Sequence, residues 1–161
     1  MGNEKEKSKI VGRIAKGLFS RSWHLGVAES CTGGLIAHSL TNFSGSSEWF
    51  KGGVVAYANS VKESLLHVPG AVLAEHGAVS EETVLAMARG VCKALGTEAG
   101  LSVSGIAGPS GGSADKPVGT VWVAWAISGH VDAKCFHFSG TRADIKSQAA
   151  HAALEGLAER L

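Results

Sequence analysis

The pattern of apolar and polar positions divides the chain into alternating helical and extended segments. Apolar residues recurring three and four positions apart, as on one face of a helix, predict the helices. These cover residues 10–20, 35–40, 61–67, 78–96 and 142–161, with Pro69 and Gly70 as a break after the third. Short apolar runs rich in β-branched residues predict the strands. The strands cover residues 23–29, 52–58, 99–105, 118–128 and 131–140.

The order of these segments predicts the fold class. Helices and strands alternate through most of the chain, which favours parallel strands covered by helices on both faces. Gly129 and His130 form a tight turn between the last two strands and add an antiparallel hairpin. We therefore expect an α/β fold, a three-layer α/β/α sandwich with a mixed, mostly parallel sheet. One domain is expected to span residues 1–161, with the polar residues 1–8 disordered.

Composition and charge narrow the classes of partner and compartment. Lys and Arg number 15 against 14 Asp and Glu, so net charge gives no electrostatic reason to expect a nucleic acid or an acidic membrane as partner. No apolar run approaches the roughly 20 residues of a membrane span. Residues 1–10 also lack the apolar core of a signal peptide. We therefore expect a cytoplasmic protein.

Cysteine and histidine spacing bears on metal chemistry. The three cysteines, Cys31, Cys92 and Cys135, are far apart, and no pair has the CxxC spacing. The seven histidines show neither HxH nor HExxH spacing. Because structural metal sites depend on such spacings, we expect no metal.

Three loops follow the predicted parallel strands, and each carries side chains suited to chemistry. Ligand sites in such sheets lie beyond the carboxyl ends of the strands. The loops at residues 29–34, 57–62 and 104–113 are therefore expected to meet at one edge of the sheet.

The first loop contains Ser30 and Cys31 within the stretch AESCTGG, residues 28–34. At a strand-to-helix turn, outward N–H groups can hold an oxyanion while a serine attacks a carbonyl. The alternative is that Ser30 caps the following helix. Cys31 is a rival nucleophile, because a helix start lowers a thiol pKa, but free cysteines are more often core residues. Glu29 either orients a lysine or stabilises the first helical turn.

The second loop places Tyr57 and Lys62 across a strand end and a helix start. A serine nucleophile needs a base, and a lysine serves as one only where burial or a nearby cation lowers its pKa. Tyr57 can relay the proton between them. Taken alone, Lys62 is typical of a solvated surface lysine.

The third loop, SVSGIAGPSGG at residues 102–112, is rich in glycine. Glycines let the backbone approach a ligand closely, and successive N–H groups form an anion nest. The loop lacks the lysine of a P-loop and does not form a GxSxG elbow. Arg142, in the first turn of the last helix, suits a phosphate or a carboxylate, and the alternative is a surface arginine.

Several of these stretches together resemble the CinA C-terminal domain family, whose enzymatic members are nicotinamide-nucleotide amidases. The resemblance covers residues 10–161. The matching motifs, in the family's order, are AESCTGG, GSSEWFKGGVVAYAN followed by Lys62, HGAVSEETVLAMA, SVSGIAGPSGGSADKPVGTVW and FSGTR. The resemblance implies a three-layer α/β/α fold. It also implies hydrolysis of the carboxamide of nicotinamide mononucleotide (NMN), giving nicotinate mononucleotide and ammonia.

The resemblance further implies roles for individual residues. Ser30 is the expected nucleophile, with Tyr57 and Lys62 as its proton-transfer partners. Oxyanion stabilisation is expected from the backbone N–H groups of Cys31, Thr32 and Gly33. Substrate contacts are expected from Glu29, Ser104, Gly105, Ile106, Gly108 and Arg142.

The resemblance calls for no metal and no cofactor, and the expected partner is a small nucleotide substrate. Family members assemble as homo-oligomers, so a homo-oligomer is expected, and the chain resembles the stand-alone form rather than members fused to an N-terminal domain. Phosphate binding is expected at Arg142 and the glycine-rich loop. One departure is Thr141, where the family usually has an acid, although Thr141 can still cap the last helix.

Two other functions stay open. A non-catalytic nucleotide-binding or regulatory module, of the competence and damage-inducible kind, would keep the fold without the reaction. The presence of serine, tyrosine and lysine together argues against it. An enzyme with the Cys31 thiol as nucleophile would need a histidine partner, and the sequence marks none.

Overall fold

The computed structural model describes residues 2–161, with side chains from Lys5 onward, and contains one five-stranded sheet. The strands are β1 (Leu25–Glu29), β2 (Phe50–Val55), β3 (Ala99–Gly105), β4 (Thr120–Ile127) and β5 (His130–His137). Their order across the sheet is β2-β1-β3-β4-β5. β1 pairs in parallel with β2 and β3, whereas β4 runs antiparallel to β3 and β5. The mixed, mostly parallel sheet is confirmed, because β1, β2, β3 and β5 run in one direction and β4 alone among these five strands runs against them.

Six α-helices cover this sheet within the described residues. They are α1 (Gly2–Arg21), α2 (Leu35–Thr41), α3 (Asn59–Leu66), α4 (Gly70–His76), α5 (Glu81–Leu95) and α6 (Arg142–Arg160). α1, α2 and α6 pack on one face, and α3, α4 and α5 on the other. The predicted three-layer α/β/α sandwich is confirmed. None of these helices has the length and apolar character needed to cross a membrane.

Two helices differ from the predicted segments. α1 begins at Gly2, so residues 2–8, for which the sequence predicts disorder, are helical, and Met1 lies outside the described residues. Residues 3–9 are mostly Glu and Lys, which have high helix propensity. α4 follows Pro69, where the sequence predicts only a break. A proline is tolerated at a helix start, because the N–H that it lacks would have no partner there.

The helix α5 has the ends that the sequence predicts and fixes the position of its neighbour α3. The Ser80 side chain accepts a hydrogen bond from the N–H of Thr83 at 3.2 Å, and Gly96 ends the helix with φ at 62°. Gly90 lies against the carbonyl oxygen of Leu66 at the end of α3. Any side chain at residue 90 would overlap that oxygen, so glycine here sets how closely the two helices approach.

The three parallel strands place their following loops side by side. All five residues of β1 are buried, because the strand lies between two neighbours and two helical layers. In the ladder, Glu29 at the end of β1 is level with Val55 of β2 and Val103 of β3. The chain therefore leaves all three strands at the same edge of the sheet.

Candidate active site

The loops that follow β1, β2 and β3 meet around one cavity of about 260 Å³. Their lining residues are Ser30, Cys31, Tyr57, Asn59, Lys62, Ser104, Gly105, Ile106, Ala107, Gly108, Ser110 and Gly111. Ala78 and Val79, from the loop before α5, and Arg142, at the start of α6, complete the wall. The convergence of the three loops that the strand order predicts is therefore present.

Ser30 is the first residue after β1, and the sheet holds its backbone. Its N–H donates to the carbonyl oxygen of Val103 at 3.0 Å. Its Oγ accepts a hydrogen bond from Nζ of Lys62 at 3.1 Å. The N-cap of α2 is Gly34, which has no side chain to cap the helix. The interpretation of Ser30 as a helix cap is therefore wrong, and its hydroxyl is paired with the lysine at the cavity.

Glu29 holds the start of α2 instead, and its side chain is buried. Its Oε2 accepts from the Thr32 hydroxyl at 2.6 Å and from the N–H groups of Gly34 and Ile36 at 3.0 and 3.1 Å. Its Oε1 accepts from the N–H of Ala37 at 2.8 Å. These bonds satisfy donors that a helix start leaves without partners. Glu29 does not line the cavity, so the expected substrate contact gives way to a structural role.

Lys62 reaches Ser30 from α3 with only 1 % of its surface exposed. Its Nζ also donates to the carbonyl oxygens of Ala56 at 2.9 Å and Tyr57 at 3.1 Å. All three acceptors are uncharged, and among the described side chains no carboxylate forms an ion pair with it. Burial therefore lowers the pKa of Lys62 from its usual value. The surface-lysine interpretation is wrong, and a serine with an adjacent amine is the arrangement of a nucleophile and its base.

The thiol of Cys31 is buried in the main hydrophobic core and also touches the cavity. Burial raises the pKa of this thiol to about 11. A thiol with such a pKa stays protonated near neutral pH and is a poor nucleophile. The interpretation of Cys31 as a core residue is confirmed.

The turn after Ser30 offers fewer free N–H groups than the sequence predicts. The N–H of Gly33 donates to the carbonyl oxygen of Ser30 at 3.1 Å and is therefore engaged. The N–H groups of Cys31 and Thr32 meet no oxygen acceptor among the residues that the structure describes. These two groups can stabilise an oxyanion beside Ser30, whereas Gly33 serves the turn itself, with φ at 61°.

The glycine-rich loop is held by hydrogen bonds of its own. The Ser104 hydroxyl donates to the carbonyl oxygen of Ala78 at 2.7 Å. The N–H of Ile106 donates to the carbonyl oxygen of Thr120 at 2.9 Å. Gly105 is the last residue of β3. The expected ligand residues Ser104, Gly105 and Ile106 all line the cavity, but the N–H of Ile106 is not free for a ligand.

Arg142 connects the start of α6 to two of the loops. Its guanidinium donates to the carbonyl oxygen of Gly108 at 2.7 Å and to the Tyr57 hydroxyl at 3.1 Å. The Tyr57 side chain is 62 % exposed, and its hydroxyl contacts Arg142 rather than Ser30. Only the backbone carbonyl of Tyr57 contacts Lys62. The arrangement therefore brings Tyr57 to the site without placing its hydroxyl between serine and lysine.

Thr141 caps α6, as the sequence predicts. Its hydroxyl accepts from the N–H of Asp144 at 3.3 Å, and the Asp144 carboxylate accepts from the N–H of Thr141 at 2.9 Å. This reciprocal pair is a capping box. It fixes the first turn of α6 and with it the position of Arg142.

Six residues line the cavity that the sequence analysis does not name as candidates, and three of them, Ala107, Ser110 and Gly111, belong to the glycine-rich loop. Asn59 is the first residue of α3, and Ala78 and Val79 precede α5. Asn59 lies between Tyr57 and Lys62 in the stretch YANSVK, and this position is the one sequence signal that could have identified it. Ala78 and Val79 carry no reactive group, so only the fold identifies them. Among the described residues, no three His, Cys, Asp or Glu side chains gather as a metal site would require.

The sequence of the chain is similar to a known family and to named proteins. A family model described as the CinA C-terminal domain matches residues 7–161. The nicotinamide-nucleotide amidohydrolase PncC of Enterobacter agglomerans is 48% identical over 149 residues, which is 92% of this chain and 91% of that protein. A putative competence-damage inducible protein of Moorella thermoacetica is 50% identical over 145 residues, or 90% of this chain. The match spans only 34% of that longer protein.

Solved structures show the same fold. The competence damage-inducible protein A of Klebsiella pneumoniae matches with a TM-score of 0.92 and 36% identity, covering 96% of each chain. The competence/damage inducible protein CihA of Agrobacterium tumefaciens matches with a TM-score of 0.90 and 38% identity, covering 94% of this chain and 93% of that one. The similarity extends over nearly the whole chain in both cases.

Proposed function

The chain belongs to the CinA C-terminal domain family, and on that premise we propose that it hydrolyses the carboxamide of NMN to nicotinate mononucleotide and ammonia. Its similarity to a nicotinamide-nucleotide amidohydrolase supports this substrate. The observation that carries the proposal is the 3.1 Å contact between Nζ of Lys62 and Oγ of Ser30. Acyl transfer by a serine needs a base within hydrogen-bond reach of the hydroxyl.

In the first half of the proposed reaction, Ser30 Oγ attacks the carboxamide carbon. The neutral amine of Lys62 accepts the hydroxyl proton as the O–C bond forms. The lowered pKa of Lys62 raises the fraction of neutral amine near neutral pH. The C–N bond then breaks, and Lys62 returns the proton to the leaving nitrogen, which departs as ammonia. The acyl group remains as an ester on Ser30.

In the second half, water attacks the ester and Lys62 accepts its proton. The ester bond breaks, Ser30 recovers a proton, and nicotinate mononucleotide leaves. Both tetrahedral intermediates carry a negative oxygen, for which we assign the N–H groups of Cys31 and Thr32 as donors. Tyr57 carries no proton in this scheme, because its hydroxyl contacts Arg142.

Ammonia release from NMN by the purified protein tests the proposal. Wild type is expected to release ammonia, and Ser30→Ala is expected to lose activity about a thousandfold or more, since removal of a hydrolase nucleophile has effects of this order. Cys31→Ala is the matched control, because it removes the neighbouring candidate nucleophile from the same turn. It should keep most of the wild-type activity.

Two outcomes would contradict the proposal. A folded wild-type protein that releases no ammonia would favour the alternative, a non-catalytic nucleotide-binding or regulatory module. An active Ser30→Ala variant beside an inactive Cys31→Ala variant would move the nucleophile to the thiol.

A further inference from the structure

A second cavity of about 420 Å³ lies next to the one that contains Ser30. It is lined by Leu35 of α2 and by Arg142, Ala143 and Lys146 of α6. Arg142 lines both cavities. The Arg142 side chain therefore lies between the cavity of Ser30 and the groove between α2 and α6.

Lys146 brings a second positive charge to that groove. It lies four positions after Arg142, and residues with this spacing share one face of a helix. Its Nζ lies 3.6 Å from the point where a Cβ on Gly33 would stand. The side chain is partly buried. The ammonium is therefore held over the turn that follows Ser30 rather than extended into solvent.

No carboxylate among the described side chains forms an ion pair with either cation. Arg142 donates to two uncharged oxygens, which leaves further guanidinium N–H groups for a ligand. The two nearby acids are engaged elsewhere. Glu29 accepts its bonds from Thr32 and the start of α2, and Asp144 accepts from Thr141. The groove thus combines two cations whose charge the surrounding protein does not balance.

The glycine-rich loop is a weaker candidate for binding an anion. At Gly108 it turns a carbonyl oxygen toward Arg142, and a carbonyl repels an anion. The N–H of Ile106 is bonded to Thr120 and is therefore not available to an anion. The second cavity is lined by Leu35, Arg142, Ala143 and Lys146, and none of these side chains carries an oxygen that would repel an anion.

We infer that Arg142 and Lys146 form a subsite for a phosphate monoester, and that Lys146 determines specificity for a mononucleotide over the nucleoside that lacks the phosphate. This inference rests on the proposed function for the identity of the whole substrate, but phosphate binding itself does not require turnover. A phosphate between two cations makes charge-assisted hydrogen bonds to both. Its position beside Arg142 leaves the pyridine carboxamide at Ser30.

Binding of ribose 5-phosphate, measured by titration calorimetry, tests the subsite without any reaction. Lys146→Met keeps the length of the side chain and removes its charge, and we expect binding about tenfold weaker than in wild type. Lys146→Arg should restore most of the affinity. Lys16→Met, at an exposed position of α1, makes the same change in net charge and is the matched control. It should bind as wild type does.

Equal affinities in wild type and Lys146→Met would overturn the inference, as would a wild type that does not bind ribose 5-phosphate. Equal losses in Lys146→Met and Lys16→Met would also overturn it, because net charge alone would then explain the effect. Thermal unfolding of each variant checks that the fold is intact.

A kinetic comparison separates this inference from the proposed function. In Lys146→Met, kcat/KM for NMN should fall about tenfold relative to kcat/KM for nicotinamide riboside, since only NMN carries the phosphate. Unchanged discrimination between the two would contradict the role of Lys146 in specificity. Binding of ribose 5-phosphate that depends on Lys146, without hydrolysis of NMN by wild type, would instead support the subsite and contradict the proposed function.

Discussion

Two charged side chains, Glu29 and Lys62, are equally buried next to the cavity and have opposite relations to it. Each exposes 1 % of its surface. The Glu29 carboxylate is enclosed by the Thr32 hydroxyl and the first N–H groups of α2, and it does not line the cavity. The Lys62 ammonium lines the cavity and donates to a hydroxyl and two carbonyl oxygens.

The comparison teaches that burial of a charge has two uses in this fold. Around Glu29, hydrogen bonds replace water and hold a turn and a helix together, which is a contribution to stability. Around Lys62, burial works against the charged form and lowers the pKa of the amine where it meets Ser30. One group stabilises the frame of the site, and the other is an amine with a lowered pKa beside Ser30, held there at a cost to stability.

Removal of the lysine amine should have the largest effect on activity. Lys62→Met keeps a chain of similar length without a base, and we expect kcat for NMN to fall about a thousandfold or more. The fold should persist by circular dichroism. Lys51→Met, at an exposed position of β2, is the matched control and should retain wild-type kcat. A Lys62→Met enzyme within tenfold of wild type would show that Lys62 is not the base, on the usual scale of such effects.

Neutralising the carboxylate should instead destabilise the fold. In Glu29→Gln an amide NH₂ faces N–H donors in α2, so buried donors lose their acceptor, and the free energy of unfolding should fall by about 2–3 kcal/mol. Urea denaturation measures the change. Glu81→Gln, in the exposed first turn of α5, is the control and should shift stability by no more than about 0.5 kcal/mol. Equal losses of unfolding free energy in Glu29→Gln and Glu81→Gln would contradict the structural role of Glu29.

The pH dependence of stability should report the burial of Lys62. The folded-state pKa of Lys62 lies below its unfolded value of about 10.4. Between these two values the folded chain binds fewer protons, so the free energy of unfolding rises with pH. Wild type should therefore gain stability relative to Lys62→Met across this window, by at most about 1.4 kcal/mol per pH unit. If urea denaturation shows that the free energies of unfolding of the two proteins change equally with pH, then burial does not lower the pKa of Lys62.

The smallest effect is expected at Tyr57, because its hydroxyl contacts Arg142 and neither buried charge. Tyr57→Phe should raise KM for NMN roughly two- to fivefold, through loss of one hydrogen bond to the guanidinium. The value of kcat should stay close to that of wild type. Steady-state kinetics separate the two parameters. A hundredfold fall in kcat, which is the scale of general acid–base catalysis, would instead support a proton relay through the Tyr57 hydroxyl.

Much of the fold could be predicted from local patterns, and the errors arose where partners distant in sequence decide the outcome. The span of β3, residues 99–105, and both ends of α5 follow from the apolar pattern and the caps. The order of the strands across the sheet, β2-β1-β3-β4-β5, depends on which strands become neighbours, and no local pattern fixes that order. The sequence does not predict α4, because a proline occurs both at helix starts and at breaks between helices, and Pro69 alone does not distinguish the two.

The candidate site was predictable as a set of loops but not as a set of contacts. The loops that carry Ser30 and Lys62 follow two parallel strands, which predicts that the loops meet but not that the two side chains touch. Which acid caps α2 does not follow from spacing, because Glu29 bonds to N–H groups as far along as Ala37. The burial of Lys62 is likewise a property of the packed helices. The sequence gives no signal that identifies Lys146 as a site residue, because a lysine on a C-terminal helix usually belongs to the solvated surface.

The close packing at Gly90 makes the contact between Lys62 and Ser30 depend on a residue that does not line the cavity. Gly90 leaves room for the Leu66 carbonyl, so α3 lies near α5 and Lys62 reaches Ser30. A methyl group at residue 90 would push α3 outward and lengthen the contact between amine and hydroxyl. A random mutagenesis screen that scores only loss of turnover would therefore return Gly90 together with Ser30 and Lys62. Under the proposed mechanism, such a screen identifies the residues that position the Lys62 amine along with the residues that react.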